Sequence, residues 1–271
     1  MTEFQRTGPF SRSLRAANPG PMTLDGTNSY VLGAPGSGPV VVDPGPLLPE
    51  HLASLAAAGD VELILVTHKH GDHTDGSARL HELTGAPVRA ADPAFCHGGA
   101  PLRDGELIRA AGVEITVLAT PGHTCDSVCF VLHGNTANDD AGAAQVLTGD
   151  TILGQGSTVI CYPDGRLGDY LASLERLRAI GSQGSAVAAL PGHGPVLEDV
   201  AAIAAAYQEH RQDRLTQVRA AVERLETEGT EAGPEAVTAA VYGDVPANLQ
   251  GAAQLSVEAQ LDYLRGATSA P

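Results

Sequence analysis

VELILVTHKHGDHTDG, residues 61–76, begins as an apolar β-type run that stops at Thr67 and then releases His68, His70, Asp72 and His73 within six residues. A solvated polar loop needs no such concentration of imidazole and carboxylate, whereas a metal site does. Three further segments repeat the design. VLATPGH (117–123) delivers His123, VLTGD (146–150) delivers Asp150, and VAALPGH (187–193) delivers His193, each just after an apolar strand-like run. Side chains at strand ends, on turns that contain glycine, can converge while the sheet beneath them keeps their positions fixed.

Five imidazoles and two carboxylates suit borderline or hard divalent ions, and no matching cysteine set is present to close a structural zinc site. Seven donors are too many for one tetrahedral ion. Two ions roughly 3.5–4 Å apart, bridged by one carboxylate and one hydroxide, would use all seven and leave room for substrate. The arrangement expected is catalytic: two divalent ions per chain, zinc first, with manganese or iron as alternatives. In that reading Asp72 and Asp150 orient the nucleophile, and Asp72 receives its proton.

The rest of the chain is read around this centre. Strand-like runs at 29–32, 40–42, 63–67, 88–91, 113–118, 128–132, 146–147 and 187–190, a helix after Thr74 and another near 169–179 make a mixed α/β layout. The polar stretch 134–144 is expected to be only a hairpin loop. From Asp199 onward the pattern turns alanine-rich and helical, which puts a boundary near residue 198: a catalytic domain over 1–198 and a helical appendage over 199–271. Ile203, Tyr207, Leu215, Val218, Val222 and Leu225 form one stripe of a long helix. A shorter helix starts at Pro234, and a third is expected from Ser256 as N-cap to Gly266 as stop.

Composition limits the partners. The 271 residues hold 32 acidic and 16 basic side chains, a formal charge of −16, which repels nucleic-acid backbones and anionic lipid surfaces except at local contacts. No window approaches the roughly 18 apolar residues of a membrane helix, and the N-terminal stretch has no apolar core of a secretory signal. Four cysteines without C-x-x-C spacing point to reduced thiols, and a cytoplasmic location with no membrane contact is expected.

The order H-x-H-x-D-H, lone His, lone Asp, final His resembles the metallo-β-lactamase superfamily. The resemblance implies an αββα sandwich, with His68, His70 and His123 on a first metal, Asp72, His73 and His193 on a second, and Asp150 bridging. Asp43 in VVVDPG matches that fold's strand-end aspartate, which supports the ligand loop from behind. More narrowly, NPGPMTLDGTNSYVLG (18–33), TPGHTCDS (120–127), the stretch from Leu147 to Leu177, LPGHGPVLED (190–199) and YQEHRQDR (207–214) resemble the β-lactamase-like protein 2 group. That group pairs the sandwich with a small winged-helix-like tail and includes single-strand endoribonucleases. It also borders on thioesterases of the glyoxalase II type. Here the chain stops at Pro271, where the wing strands would follow, so a truncated winged-helix-like appendage is expected.

Two substrate classes therefore stand, single-stranded RNA slightly ahead of esters or thioesters, with a non-hydrolytic iron-bearing redox or binding protein as the reading from another class. Gly154, Gly156 and Ser157, just past Asp150, are candidates for the substrate wall, and a plain loop over the core is the alternative. Arg211, a charge inside an apolar stripe, either reaches a substrate anion or is a buried arginine paired with a carboxylate of the sandwich. Cys125, two residues past His123, is read as a supporting or core thiol rather than a ligand.

Overall fold

The computed structural model describes residues 3–134, 145–181 and 186–268. Strands β1 (Gln5–Arg6), β2 (Ser11–Arg15), β3 (Asn28–Leu32), β4 (Val40–Val42), β5 (Leu63–Leu65) and β6 (Val88–Arg89) form one sheet in chain order. Strands β7 (Leu107–Ala110), β8 (Val113–Ala119), β9 (Val128–Gly134), β10 (Gln145–Gly149) and β11 (Ala188–Pro191) form the other, with β11 and β7 at its edges. Among these strands only the pairs β4–β5, β5–β6 and β10–β11 are parallel. Helices are α1 (Pro49–Ala56), α2 (Gly71–Thr74), α3 (Ser77–Thr84), α4 (Leu167–Gly181), α5 (Val200–Thr227), α6 (Pro234–Tyr242) and α7 (Gln250–Thr268).

Strand alternation builds the layers, because successive side chains leave a strand on opposite faces. Tyr30, Leu32, Val40, Val42 and Leu65 of the first sheet meet Ile115, Val117, Phe130, Leu132 and Leu147 of the second in the central core. On the first sheet's other face, Val31, Val41 and Ile64 meet Leu52 and Leu55 of α1 and Leu80 of α3. On the second sheet's other face, Cys129, Val131, Val146 and Ala189 meet Tyr170, Leu174 and Leu177 of α4 together with Val200, Ala204, Tyr207 and Leu215 of α5. This is the expected αββα sandwich. Farther along α5, Val218, Ala221 and Leu225 pack with Val237 of α6 and with Val257 and Leu261 of α7 in a fourth core. Beyond Asp199 every regular element among the described residues is helical.

Several sequence expectations are corrected. The helix expected after Thr74 is α3, closed by Gly85 at φ 75°, and the single turn α2, which precedes it and ends at Thr74, is additional. The third tail helix begins at Gln250 rather than Ser256, since the intervening Ala252, Ala253 and Leu255 are good helix formers, and Ser256 sits buried inside it. Gly266 does not stop it, as α7 continues to Thr268. Strands β1, β2 and β7 and helix α1 are additional. Of the stretch 134–144, only Gly134 belongs to the described residues, as the end of β9.

The two sheets are tied together at one end. The Val128 amide donates to the Thr67 carbonyl at 2.8 Å, the Asn28 amide to the Gly192 carbonyl at 2.8 Å, and the Tyr30 hydroxyl to the Pro191 carbonyl at 2.8 Å. The same end carries the strand termini that lead to His68, Asp150 and His193.

Candidate metal centre

Six of the seven residues reach the centre by local devices. Thr67, after β5, is pinned to the first sheet by Asp43, whose Oδ1 accepts from the Thr67 amide at 2.8 Å and whose Oδ2 accepts from its hydroxyl at 2.7 Å. Asp43 is itself buried, at φ 52°, a strained conformation that its three hydrogen bonds hold in place. The short helix α2 follows, with the His73 and Thr74 amides both donating to the His70 carbonyl, and this turn puts His70, Asp72 and His73 on one side. His123 follows Gly122, at φ 144°, where a Cβ would collide with the Tyr170 backbone; only glycine lets this turn pass so close to α4. His193 is stitched in by Asn28, whose side-chain amide donates to the Pro191 and Gly194 carbonyls at 3.1 and 2.9 Å.

Three of the outer ring nitrogens have partners. His73 Nδ1 donates to Asp43 Oδ2 at 2.8 Å, His123 Nδ1 to the Val159 carbonyl at 2.7 Å, and His193 Nδ1 lies 3.3 Å from the Gly26 carbonyl. Fixing one nitrogen as donor leaves the other, with its lone pair, facing inward. On one side His70 Nδ1 lies 3.1 Å from His68 Nε2 and 3.0 Å from His123 Nε2. On the other, His193 Nε2 lies 3.3 Å from His73 Nε2, 3.1 Å from Asp72 Oδ2 and 3.4 Å from Asp150 Oδ2. Asp150 reaches both sides, with Oδ1 at 3.5 Å from His73 Nε2 and Oδ2 at 3.8 Å from His123 Nε2.

These distances fit a pair of divalent ions. Nitrogens held about 2.0–2.1 Å from one zinc-sized ion stand roughly 3.3 Å apart, close to the separations observed. Asp150 Oδ1 is buried without a hydrogen-bond partner, an arrangement that costs free energy unless a cation meets it. Gly192 leaves the space clear, since a Cβ there would lie 2.6 Å from Asp150 Oδ1 and 2.7 Å from His73 Cε1. Three donor groups result: His68, His70 and His123; His68, His73 and Asp150; Asp72, His73 and His193.

Electrostatics divides the site. Burial holds the pKa of His68 well below the usual imidazole range and lowers those of His70 and His123, so this side offers neutral lone pairs. Burial works the same way on His73 and His193, but carboxylates overcome it. Asp150 and Asp43 raise His73 well above the ordinary value, and Asp150 and Asp72 raise His193 to about 9. For Asp150, burial favours the neutral form, yet His73 and His193 outweigh it and keep the carboxyl well below the usual range.

Asp43 therefore acts on the centre without touching it. Asp43→Asn keeps the shape but offers one acceptor oxygen where Thr67 and His73 need two. We expect zinc affinity to fall by roughly 10- to 100-fold, as measured by competition with a chromogenic chelator. Unchanged affinity would show that His73 is oriented by other means.

The remaining candidates separate. Gly156 and Ser157 line a cleft of ≈ 300 Å³ that ends on His123 and Asp150. Gly154 does not line it: its amide donates to the His193 carbonyl at 2.8 Å, and a Cβ there would strike the Pro195 carbonyl, so its role is close packing behind His193. Arg211 is only 3% exposed and donates to the Thr158 carbonyl, with its guanidinium 5.1 Å from the centre of the Tyr170 ring. It does not line the cleft, and no carboxylate among the described residues lies within ion-pair distance; the loop after Asp150 presents it with the Thr158 carbonyl oxygen instead. Cys125 is exposed beside Lys69, whose ammonium donates to Asp164 Oδ1 at 2.5 Å, and takes no part in the three donor groups. The other cleft walls, Met22 and Leu24 from the N-terminal segment and Tyr242, Val245 and Leu249 from the tail, were not singled out by residue in the sequence. The quoted 18–33 motif was the one available signal for the first pair.

Known proteins share this architecture. The lactamase-like protein vrtG of Penicillium aethiopicum is 33% identical over 246 residues, which cover 86% of this chain and 73% of that protein. An atrochrysone carboxyl ACP thioesterase of Aspergillus chevalieri is 32% identical over 259 residues, covering 91% of this chain and 77% of its own. A metallo-beta-lactamase family protein from Thermus thermophilus superposes with a TM-score of 0.73 at 23% identity, covering 96% of this chain and 95% of its own. The protein TTHA1623, solved in a di-iron-bound form, does so with a TM-score of 0.51 at 29% identity, over 67% of this chain and 93% of that one. With the metallo-beta-lactamase superfamily model matching residues 22–193, a span that begins at the cleft wall and closes on the final histidine, the chain belongs to that superfamily of hydrolases.

Proposed function

We propose that this hydrolase uses two divalent metal ions to cleave acyl thioesters, with the acyl group seated in the cleft that ends on His123 and Asp150. The observation that carries the reading is the character of that cleft. Its walls are largely apolar, from Met22, Leu24, Leu153, Val245 and Leu249, and no lysine or arginine among the described residues lines it. An RNA backbone brings a charge at every nucleotide and needs cations along its track. An apolar acyl chain needs none, and its burial is favourable. The thioesterase from Aspergillus chevalieri, matched over most of both chains, supports the same choice. The cleft thus reverses the slight preference for RNA drawn from sequence.

Ions held by the two sets of donors would supply an acidified water and a polarised carbonyl. The di-iron-bound form of TTHA1623 supports two positions without fixing the metal used here. His68, His70 and His123 would hold the first position, Asp72, His73 and His193 the second, and Asp150 would serve both. Asp72 and Asp150 would orient the attacking water. Asp72 has the more open side chain, 27% exposed against 10%, and is the carboxylate through which the proton leaves. A thiolate departs without a dedicated acid, because its pKa of about 8.5 lies near neutrality.

The test is a side-by-side assay of wild type and Asp72→Ala on medium-chain acyl thioesters, single-stranded RNA and a model phosphodiester, with and without chelator. Chelator-sensitive thioester turnover that falls at least about a hundredfold in Asp72→Ala is expected, with RNA left intact. Chelator-sensitive RNA cleavage that weakens with salt and vanishes in Asp72→Ala, with thioesters untouched, would overturn the reading in favour of a nuclease.

A further inference from the structure

Residues Tyr207 and Arg211 stand one helical turn apart on α5, so their side chains share a face. Both are buried, at 9% and 3% exposure, and both grip the loop that runs from Asp150 to Val159. The Tyr207 hydroxyl donates to the Gly156 carbonyl at 2.8 Å and accepts from the Leu153 amide at 3.3 Å. Arg211 donates to the Thr158 carbonyl. The two ends of this loop belong to the metal centre. Thr158 donates its hydroxyl to the Asp150 carbonyl at 2.6 Å, and the next residue's carbonyl, Val159, accepts from His123 Nδ1 at 2.7 Å.

We infer that Tyr207 and Arg211 are positioning residues for the metal centre, a two-point clamp through which α5 sets the orientation of His123 and the placement of Asp150. The arginine is a poor choice for stability alone. Its Nε is buried without a partner and no carboxylate among the described residues neutralises it, a situation that apolar side chains of similar volume would avoid. Its guanidinium does one thing a hydrocarbon cannot: it donates to the carbonyl immediately before the one that fixes His123. Tyr170 completes the support from α4, its ring 5.1 Å from the guanidinium and its hydroxyl donating to the Thr151 carbonyl at 2.8 Å. The loop so held also supplies Gln155, Gly156, Ser157 and Thr158 to the cleft, so the clamp acts on substrate fit as well as on the ligands.

The inference rests on the metal reading of the site and is independent of the substrate, so it is tested by metal binding in the full chain. Wild type, Tyr207→Phe, Arg211→Met and Arg211→Lys are stripped with chelator and titrated with Co²⁺, following the visible d–d absorption, with circular dichroism and melting as fold controls. Tyr207→Phe removes a single oxygen; it is expected to keep its fold, lose roughly tenfold in cobalt affinity and shift the absorption band. Arg211→Met is expected to lose at least as much, and Arg211→Lys to recover part of it by donating to the Thr158 carbonyl. With an acyl thioester, KM rises in both loss variants. Folded Tyr207→Phe with wild-type affinity and spectrum would overturn the clamp, and this variant decides the matter alone if Arg211→Met does not fold. Wild type that takes up no cobalt or zinc would overturn the metal reading itself, whereas normal wild-type uptake with unaltered variants removes only the clamp.

Discussion

Asp150→Ala is expected to lose metal from both positions and to lower kcat/KM by at least about a thousandfold, the largest functional loss of any single substitution in this chain. The reason is its place. Its two oxygens lie 3.4–3.8 Å from nitrogens of His73, His193 and His123, so it faces ligands of both donor sets, and its Oδ1 has no other partner. By contrast His193→Ala removes a nitrogen from one side only and should empty mainly the second position. Metal content by elemental analysis after gel filtration, set beside thioester turnover, distinguishes these outcomes. Asp150→Asn is the shape-conserving control: it keeps the volume and removes the charge, and should lose nearly as much. If Asp150→Ala retained two ions per chain, the bridging role would be wrong whatever the activity. Since Asp150 is buried in a pocket of imidazoles rather than among apolar side chains, the variant should remain folded, as circular dichroism would show.

What could be read without coordinates was whatever a strand end announces. Val117–His123, Val146–Asp150 and Val187–His193 each couple a buried strand to one donor, and the sheet converts that one-dimensional spacing into convergence in space. The strand runs, Val40–Val42 and Val128–Leu132 among them, indicated a mixed α/β layout, and the αββα sandwich was implied by the resemblance. Strand β2 escaped notice because SRSLR buries only Ser11 and Leu14, its arginines masking the pattern, and β7 because LIRA alternates for four residues only. The cleft was legible only at the loop after Asp150, where Gly156 and Ser157 line it. Its walls come from Met22, Leu153 and Tyr242, parts of the chain separated by more than 80 residues each, and no local pattern marks them as neighbours. Arg211 was visible as an anomaly in an apolar stripe, but the sequence offered only anions as partners, and the structure supplies a backbone carbonyl.

Ending the chain at residue 198 is expected to leave a fragment that does not fold, even though the sequence changes character there. Val200, Ala204, Tyr207 and Leu215 of α5 and Ala259 of α7 belong to the same core as Ile152, Ile160, Tyr170, Leu174 and Leu177. Removing the tail would return that face of α4 and the loop after Asp150 to water. At about 1.5–3 kcal/mol for each large apolar side chain exposed, the loss from five of them is comparable to the ~5–15 kcal/mol that holds a whole domain together. The fragment should be insoluble or lack a cooperative melting transition. A substitution in the outer tail makes the complementary case. Val257→Asp would charge the core shared by Val218, Val237 and Leu261, which lies beyond the sandwich but beneath Tyr242, so the sandwich should survive while the cleft loses a wall. Its signature would be a raised KM with metal content intact. A soluble 1–198 fragment that melts cooperatively and turns over thioesters like the full chain would show instead that α5 is an accessory to the sandwich, and the tail would then have to be assigned to something other than the cleft.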